Sequence, residues 1–173
     1  EYIRNAVMDL DQLITDLKAN WTVMESDECV MKLSLVIHLI GDIHCPMHVL
    51  YVPQAPTGGK YSFTVRGEKV NAHSYWDSKL IKMLEPEWSY YEYSEAVDTA
   101  TAEEIAEIQQ GEVFDWGKAS ALSSWPAHSH EPKEILSDEY PEKDRSLLYV
   151  QLRNAGYRLA KALDDIFDSS DNL

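Results

Sequence analysis

The 173-residue chain is poor in glycine and proline, with 7 of each, and has only 2 cysteines. Such scarcity disfavours an all-β or low-complexity chain, both of which consume turn residues. Two cysteines make no disulfide framework. On one continuous helix Cys29 and Cys45 lie ~24 Å apart, far beyond the ~7 Å limit for bridged α-carbons, so free thiols are expected. No apolar run approaches the ~20 residues needed to span a bilayer. Basic residues are also few: 15 Lys and Arg stand against 30 Asp and Glu, for a net charge of -15. That balance argues against a broadly basic nucleic-acid-binding surface. It leaves room for a phosphate-processing site, because bound metal ions can be the largest local charges.

What is present reads as one all-α domain over residues 1–173. A chain of this length buries about 70% of its unfolded surface. A helix is predicted over about 1–19. A second, capped by Ser26 or Asp27, carries apolar residues on nearly every face and is expected to be central and buried. Pro46 ends it. Residues 49–70 form an irregular insertion, in which 61–70 around Arg66-Gly67 reads as a small hairpin. Helices follow over about 72–84, from the Thr101 capping box to Gln110, over 112–124, and over 142–168. In the last, Leu147, Leu148, Leu152, Ala155, Leu159, Leu163 and Phe167 are expected to face inward. Residues 126–141 read as loop, with His128 and His130 on the surface, and aromatic packing is expected for Trp88, Tyr90, Tyr91 and Tyr93.

Four of the six histidines lie between residues 38 and 73. Two of them sit in matched His-x-x-x-Asp pairs, His38/Asp42 and His73/Asp77. On a helix, positions i and i+4 share a face, so each pair can grip one ion. A lone pair of this kind is often a surface ion pair, but a carboxylate inside an apolar helix is costly unless paired or metal-bound. Zinc takes imidazole nitrogen and carboxylate oxygen, and catalytic zinc keeps one position open beside three protein ligands. His48 lies beyond Pro46. Either the chain folds back towards His38, or His48 serves a different ion; the second option fits better, because His73 and Asp77 need a third ligand. His48, His73 and Asp77 then form one complete site, and His38/Asp42 remains a half-site. His44 reads as a core hydrogen-bonder.

At these residues the chain resembles the zinc-dependent, single-strand-preferring nucleases of the S-one/P-one type, relatives of bacterial zinc phospholipase C. The run from His38 through Gly41, Asp42, His44 and Pro46 to His48 resembles the family's long motif. Asn71-x-His73-x-x-Trp76-Asp77 resembles its second, and Gly58-Gly59 falls between them as in the family. The likeness covers roughly residues 31–81 and thins beyond, to a trace at Trp116 and Ser120 with Ala119 where the family often has Glu. It implies an all-α fold and three zinc ions in one cleft. In-line hydrolysis of single-stranded DNA and RNA would leave 5′-phosphate products, in a secreted or periplasmic protein. It further implies that Asp42 bridges two of the ions and is the catalytic carboxylate.

Other ligands of the family precede the long motif, yet no His occurs before His38. The chain is therefore expected to be the C-terminal portion of a longer nuclease domain, able to complete one zinc site and weakly active or inactive alone. The remaining ligands would come from an upstream segment. Two further readings fit the same residues: a zinc phospholipase C-like phosphodiesterase, and a non-catalytic helical domain stapled by one zinc.

Overall fold

A computed structural model of the protein describes residues 5–49, 61–128 and 130–168. The Gly58-Gly59 loop and Lys60 lie outside the described residues. The architecture is all-α, with one two-stranded hairpin. Helix α1 (Ala6–Asn20) starts where the Asn5 side chain accepts the Met8 N–H. Helix α2 (Ser26–His44) follows with Glu25 at its N-cap; neither Ser26 nor Asp27 caps it, and no side-chain cap bond forms.

Strands β1 (Ser62–Val65) and β2 (Glu68–Asn71) pair antiparallel, with Phe63 opposite Val70. Arg66 and Gly67 both take positive φ, 49° and 74°, the two-residue turn whose twist matches the strands. Asn71 ends β2 and accepts the Ser74 N–H, converting strand directly into helix. Helix α3 (Ala72–Ser74), a π-helical turn (Tyr75–Lys79) and α4 (Leu80–Leu84) then run on as one rod. Helix α5 (Tyr90–Val97) was not foreseen, because its aromatic residues mask the helical period; Ser89 and Glu92 close its capping box. Tyr93 packs inward, but Tyr90 and Tyr91 face solvent, contrary to the expected aromatic packing. Helices α6 (Ala102–Ile108), α7 (Val113–Ser123) and α8 (Tyr140–Phe167) complete the chain, after a 3-10 turn at Trp125–His128.

Two apolar cores share α8. One gathers Leu10, Ile14, Val36, Ile40, Trp116 and Ile166 from α1, α2, α7 and α8. The other wraps Phe63, Val65, Tyr75, Trp76 and Leu80 of the hairpin and rod against Leu148. The buried stripe of α8 runs through Asp144, Leu148, Gln151, Arg158, Ala162 and Ile166. That is rotated from the apolar stripe read in the sequence, so Leu152 and Phe167 are exposed while Gln151 and Arg158 go inside. The polar pair is satisfied there: Gln151 bonds Ser120, Ser123 and Ser124, and Arg158 donates to Ile108 O and His44 Nε2. No described helix is long and apolar enough to cross a membrane.

Helix α2 departs most from expectation. Only Val36, Ile40, Ile43 and His44 are buried on it. Val30, Met31 and Ile37 are 63, 56 and 51% exposed, because α1, α7 and α8 cover one face and leave the other open. His128 and His130 also correct the sequence reading: both are buried. His130 packs between Phe63 and Tyr140, and His128 Nε2 donates to Pro46 O at 2.8 Å.

Asp144 is buried beneath the rod, where it accepts the Tyr75 hydroxyl at 2.9 Å. Burial raises its pKa to about 6, against the smaller opposing pulls of that hydrogen bond, His130 and Lys143. The folded state therefore holds this proton between about pH 4 and 6, where the unfolded chain has released it, and stability falls as pH rises through that window. Asp144→Asn is expected to remove that slope and to be more stable than wild type above pH 6, by up to about 2–3 kcal/mol. Urea unfolding at several pH values measures the difference.

Candidate metal centre

The centre forms where α2 stops. Cys45 donates its N–H to Asp42 O, Pro46 prevents another turn, and the His48 N–H bonds Cys45 O, so the chain reverses within four residues. His44 pins the end of the helix: its Nδ1–H donates to Ile40 O at 2.7 Å, and its Nε2 accepts from Arg158 at 2.8 Å. Burial holds His44 neutral, with a pKa near 4. It is the core hydrogen-bonder expected of it. The reversal brings His48 back onto α2, so the fold-back set aside from sequence does occur: His48 Nδ1 lies 3.1 Å from Asp42 Oδ1.

Across the cleft the π-helical turn presents Asp77. Its wider turn, closed by the Leu80 N–H on Tyr75 O, still leaves His73 Nε2 only 2.8 Å from Asp77 Oδ2. Such turns are often found at functional sites. His48 Nε2 reaches both sides of this pair, 2.8 Å from His73 Nε2 and 3.1 Å from Asp77 Oδ1. On the other flank His38 Nε2 lies 3.3 Å from Asp42 Oδ2. The five residues singled out in the sequence thus form one unbroken chain of contacts: His38, Asp42, His48, His73, Asp77. They are not buried; the His38 side chain is 66% exposed and Asp42 31%.

The set that offers one donor atom each, all within 4.8 Å of one another, is Cys45, His48 and Asp77; the expected set of His48, His73 and Asp77 is in contact pairwise, through both Asp77 oxygens. Cys45 Sγ donates to Asp77 Oδ1 at 3.2 Å. Burial, with the Asp77 carboxylate adding to it, pushes the thiol up to about 12. No spacing signal marks Cys45, because only the Pro46 reversal aims it at a residue 32 positions away. A cleft of about 240 Å³ opens beside these groups, lined by Gly41, Asp42, Cys45, His48, Trp76 and Asp77 among others. The buried Trp76 Nε1 has no hydrogen-bond partner among the described residues.

These donors suit a divalent cation that takes nitrogen, oxygen and sulfur. Zinc–ligand distances of ~2.0–2.3 Å imply tetrahedral edges of ~3.3–3.8 Å, so the donors, now 2.8–3.2 Å apart, need to spread only by some tenths of an ångström to take an ion. His48 is also held as a metal-binding imidazole should be, with one ring nitrogen on a carboxylate and the other facing the donors.

A sequence model described as S1/P1 Nuclease matches residues 3–168, nearly the whole chain. The chain belongs to the S1/P1 nuclease family. The match extends well beyond residues 31–81, the region that carries the two motifs. Among curated relatives, Endonuclease 2 of Arabidopsis thaliana is 27% identical over 150 residues, covering 78% of this chain and 51% of the relative. Nuclease S1 of Aspergillus oryzae is 27% identical over 163 residues, covering 79% of this chain and 54% of the relative. The chain thus spans about half the length of these relatives.

Arg158 ties the end of α2 to α8 and so supports the reversal that shapes the centre. Arg158→Ala is expected to cost about 2–3 kcal/mol by leaving buried His44 Nε2 and Ile108 O without their donor. Thermal and urea denaturation read this directly.

Proposed function

We propose that the protein is a zinc-dependent phosphodiesterase that cleaves single-stranded DNA and RNA. The observation that carries this reading is the continuous line of donors from His38 through Asp42, His48 and His73 to Asp77. Membership in the nuclease family supports the phosphodiester substrate. His48, His73 and Asp77 would hold one zinc. His38 and Asp42 would supply half the shell of a second, with Asp42 placed to bridge to a third. Bound zinc would supply charge neutralisation at the phosphate and activation of water. In this arrangement Asp42 orients His48 and lies between the two half-sites, which is why it is the carboxylate assigned the catalytic position.

The remaining ligands of a three-ion centre are proposed to come from sequence outside these 173 residues. The open face of α2 supports this. Val30, Met31, Leu35 and Ile37 are exposed there and lead along the helix to His38 and Asp42. Burying such a stripe favours a close-packed partner helix. Gly41 sits on the same stretch, with open space where a Cβ would project, and so permits close approach. By family likeness the protein is proposed to act outside the cytoplasm, as a secreted or periplasmic enzyme.

Two outcomes check this reading. Elemental analysis should find zinc in the full-length protein, and His73→Ala should lower its EDTA-sensitive cleavage of single-stranded DNA by at least about 100-fold. Release of phosphocholine from lipid without nuclease activity would instead favour a phospholipase. Gly41→Ala separates helix propensity from docking. In the 173-residue chain it should stabilise α2 by about 0.5–1 kcal/mol. In the full-length protein it should destabilise, as seen by calorimetry, because the added methyl meets the docked segment.

A further inference from the structure

We propose that Cys45 is a metal ligand in this protein, completing with His48 and Asp77 a sulfur, nitrogen and oxygen donor set for a thiophilic divalent cation. The proposal rests on the metal reading above and deepens it. Three observations carry it. Cys45, His48 and Asp77 are brought within 4.8 Å of one another from two separate elements. The Sγ to Asp77 Oδ1 separation of 3.2 Å is near the ~3.5 Å edge expected between sulfur and oxygen on one tetrahedral zinc. And a cleft of about 240 Å³, lined by Cys45, His48, Asp77 and the buried Trp76 among others, opens beside them.

The backbone of Cys45 is held on both sides. Its N–H is held by Asp42 O, and its carbonyl by the His48 N–H. Asp77 is used from both oxygens: Oδ1 meets Cys45 and His48, and Oδ2 meets His73. Two overlapping donor sets thus share His48 and Asp77, one ending on the Cys45 sulfur and the other on the His73 nitrogen. Sulfur selects zinc, cadmium and cobalt over magnesium and calcium. On coordination the thiol proton passes to solvent, and the Asp77 oxygen that had accepted it is freed for the ion.

Cobalt(II) substitution of the full-length protein tests this, because sulfur ligation gives a near-ultraviolet charge-transfer band separate from the visible ligand-field bands. Wild type should show both. Cys45→Ser should lose the charge-transfer band and keep the visible bands, and Cys29→Ser should keep both. Visible bands without a charge-transfer band in wild type, or a band that survives in Cys45→Ser, would overturn the role of Cys45 while leaving the metal centre standing. No cobalt absorption at all would sink both. A measurement free of variants runs alongside: zinc, but not magnesium, should slow iodoacetamide alkylation of Cys45 in wild type, read by peptide mass spectrometry. Equal alkylation with and without zinc counts against the proposal.

Discussion

The centre depends on how α2 ends. An apolar helix that continued past His44 would carry His48 about 15 Å along its axis from His38. Pro46 forbids that continuation, and three buried contacts hold the reversal in place. His44 bonds back to Ile40 O and accepts a hydrogen bond from Arg158, while His128 reaches from a remote turn to the Pro46 carbonyl. None of these groups belongs to the proposed donor set. Together they decide that His48 can touch Asp42 with one ring nitrogen and the His73/Asp77 pair with the other.

The same reversal joins the two cores. Ile40 and Ile43 belong to the helical core, whereas Met47 belongs to the core around the hairpin and rod. Helix α8 is the shared wall, with Leu148 in one and Ala162 and Ile166 in the other. Its buried stripe is unusually polar because Arg158 and Gln151 satisfy groups on α2, α6 and α7 that apolar side chains would strand. Stability and site geometry are therefore tied: the residues that fasten α2 to α8 also aim the donors.

The uncovered face of α2 connects the fold to the reach of the family match. A helix apolar on nearly all sides has two faces to bury, and the described residues bury one. The family match covers nearly the whole chain but only about half of each curated relative, and the donor line ends on the exposed His38 beside that open face.

Much was legible in the sequence alone. Period and punctuation marked most helices, Arg66-Gly67 marked the hairpin, and the paired His-x-x-x-Asp spacings drew attention to His38, Asp42, His73 and Asp77, because spacing within one helical turn is a local property. Helix α5 escaped, since Tyr at successive positions blurs the apolar period. The phase of α8 slipped because Gln151 and Arg158 are buried by partners that composition does not reveal. Cys45, His128 and the solvent-facing side of α2 were decided only by tertiary structure. A thiol meets a carboxylate 32 residues away, an imidazole meets a carbonyl 82 residues away, and an apolar face stays open, according to which elements pack beside them. Local spacing is written in the chain; adjacency across a reversal exists only once the chain has folded.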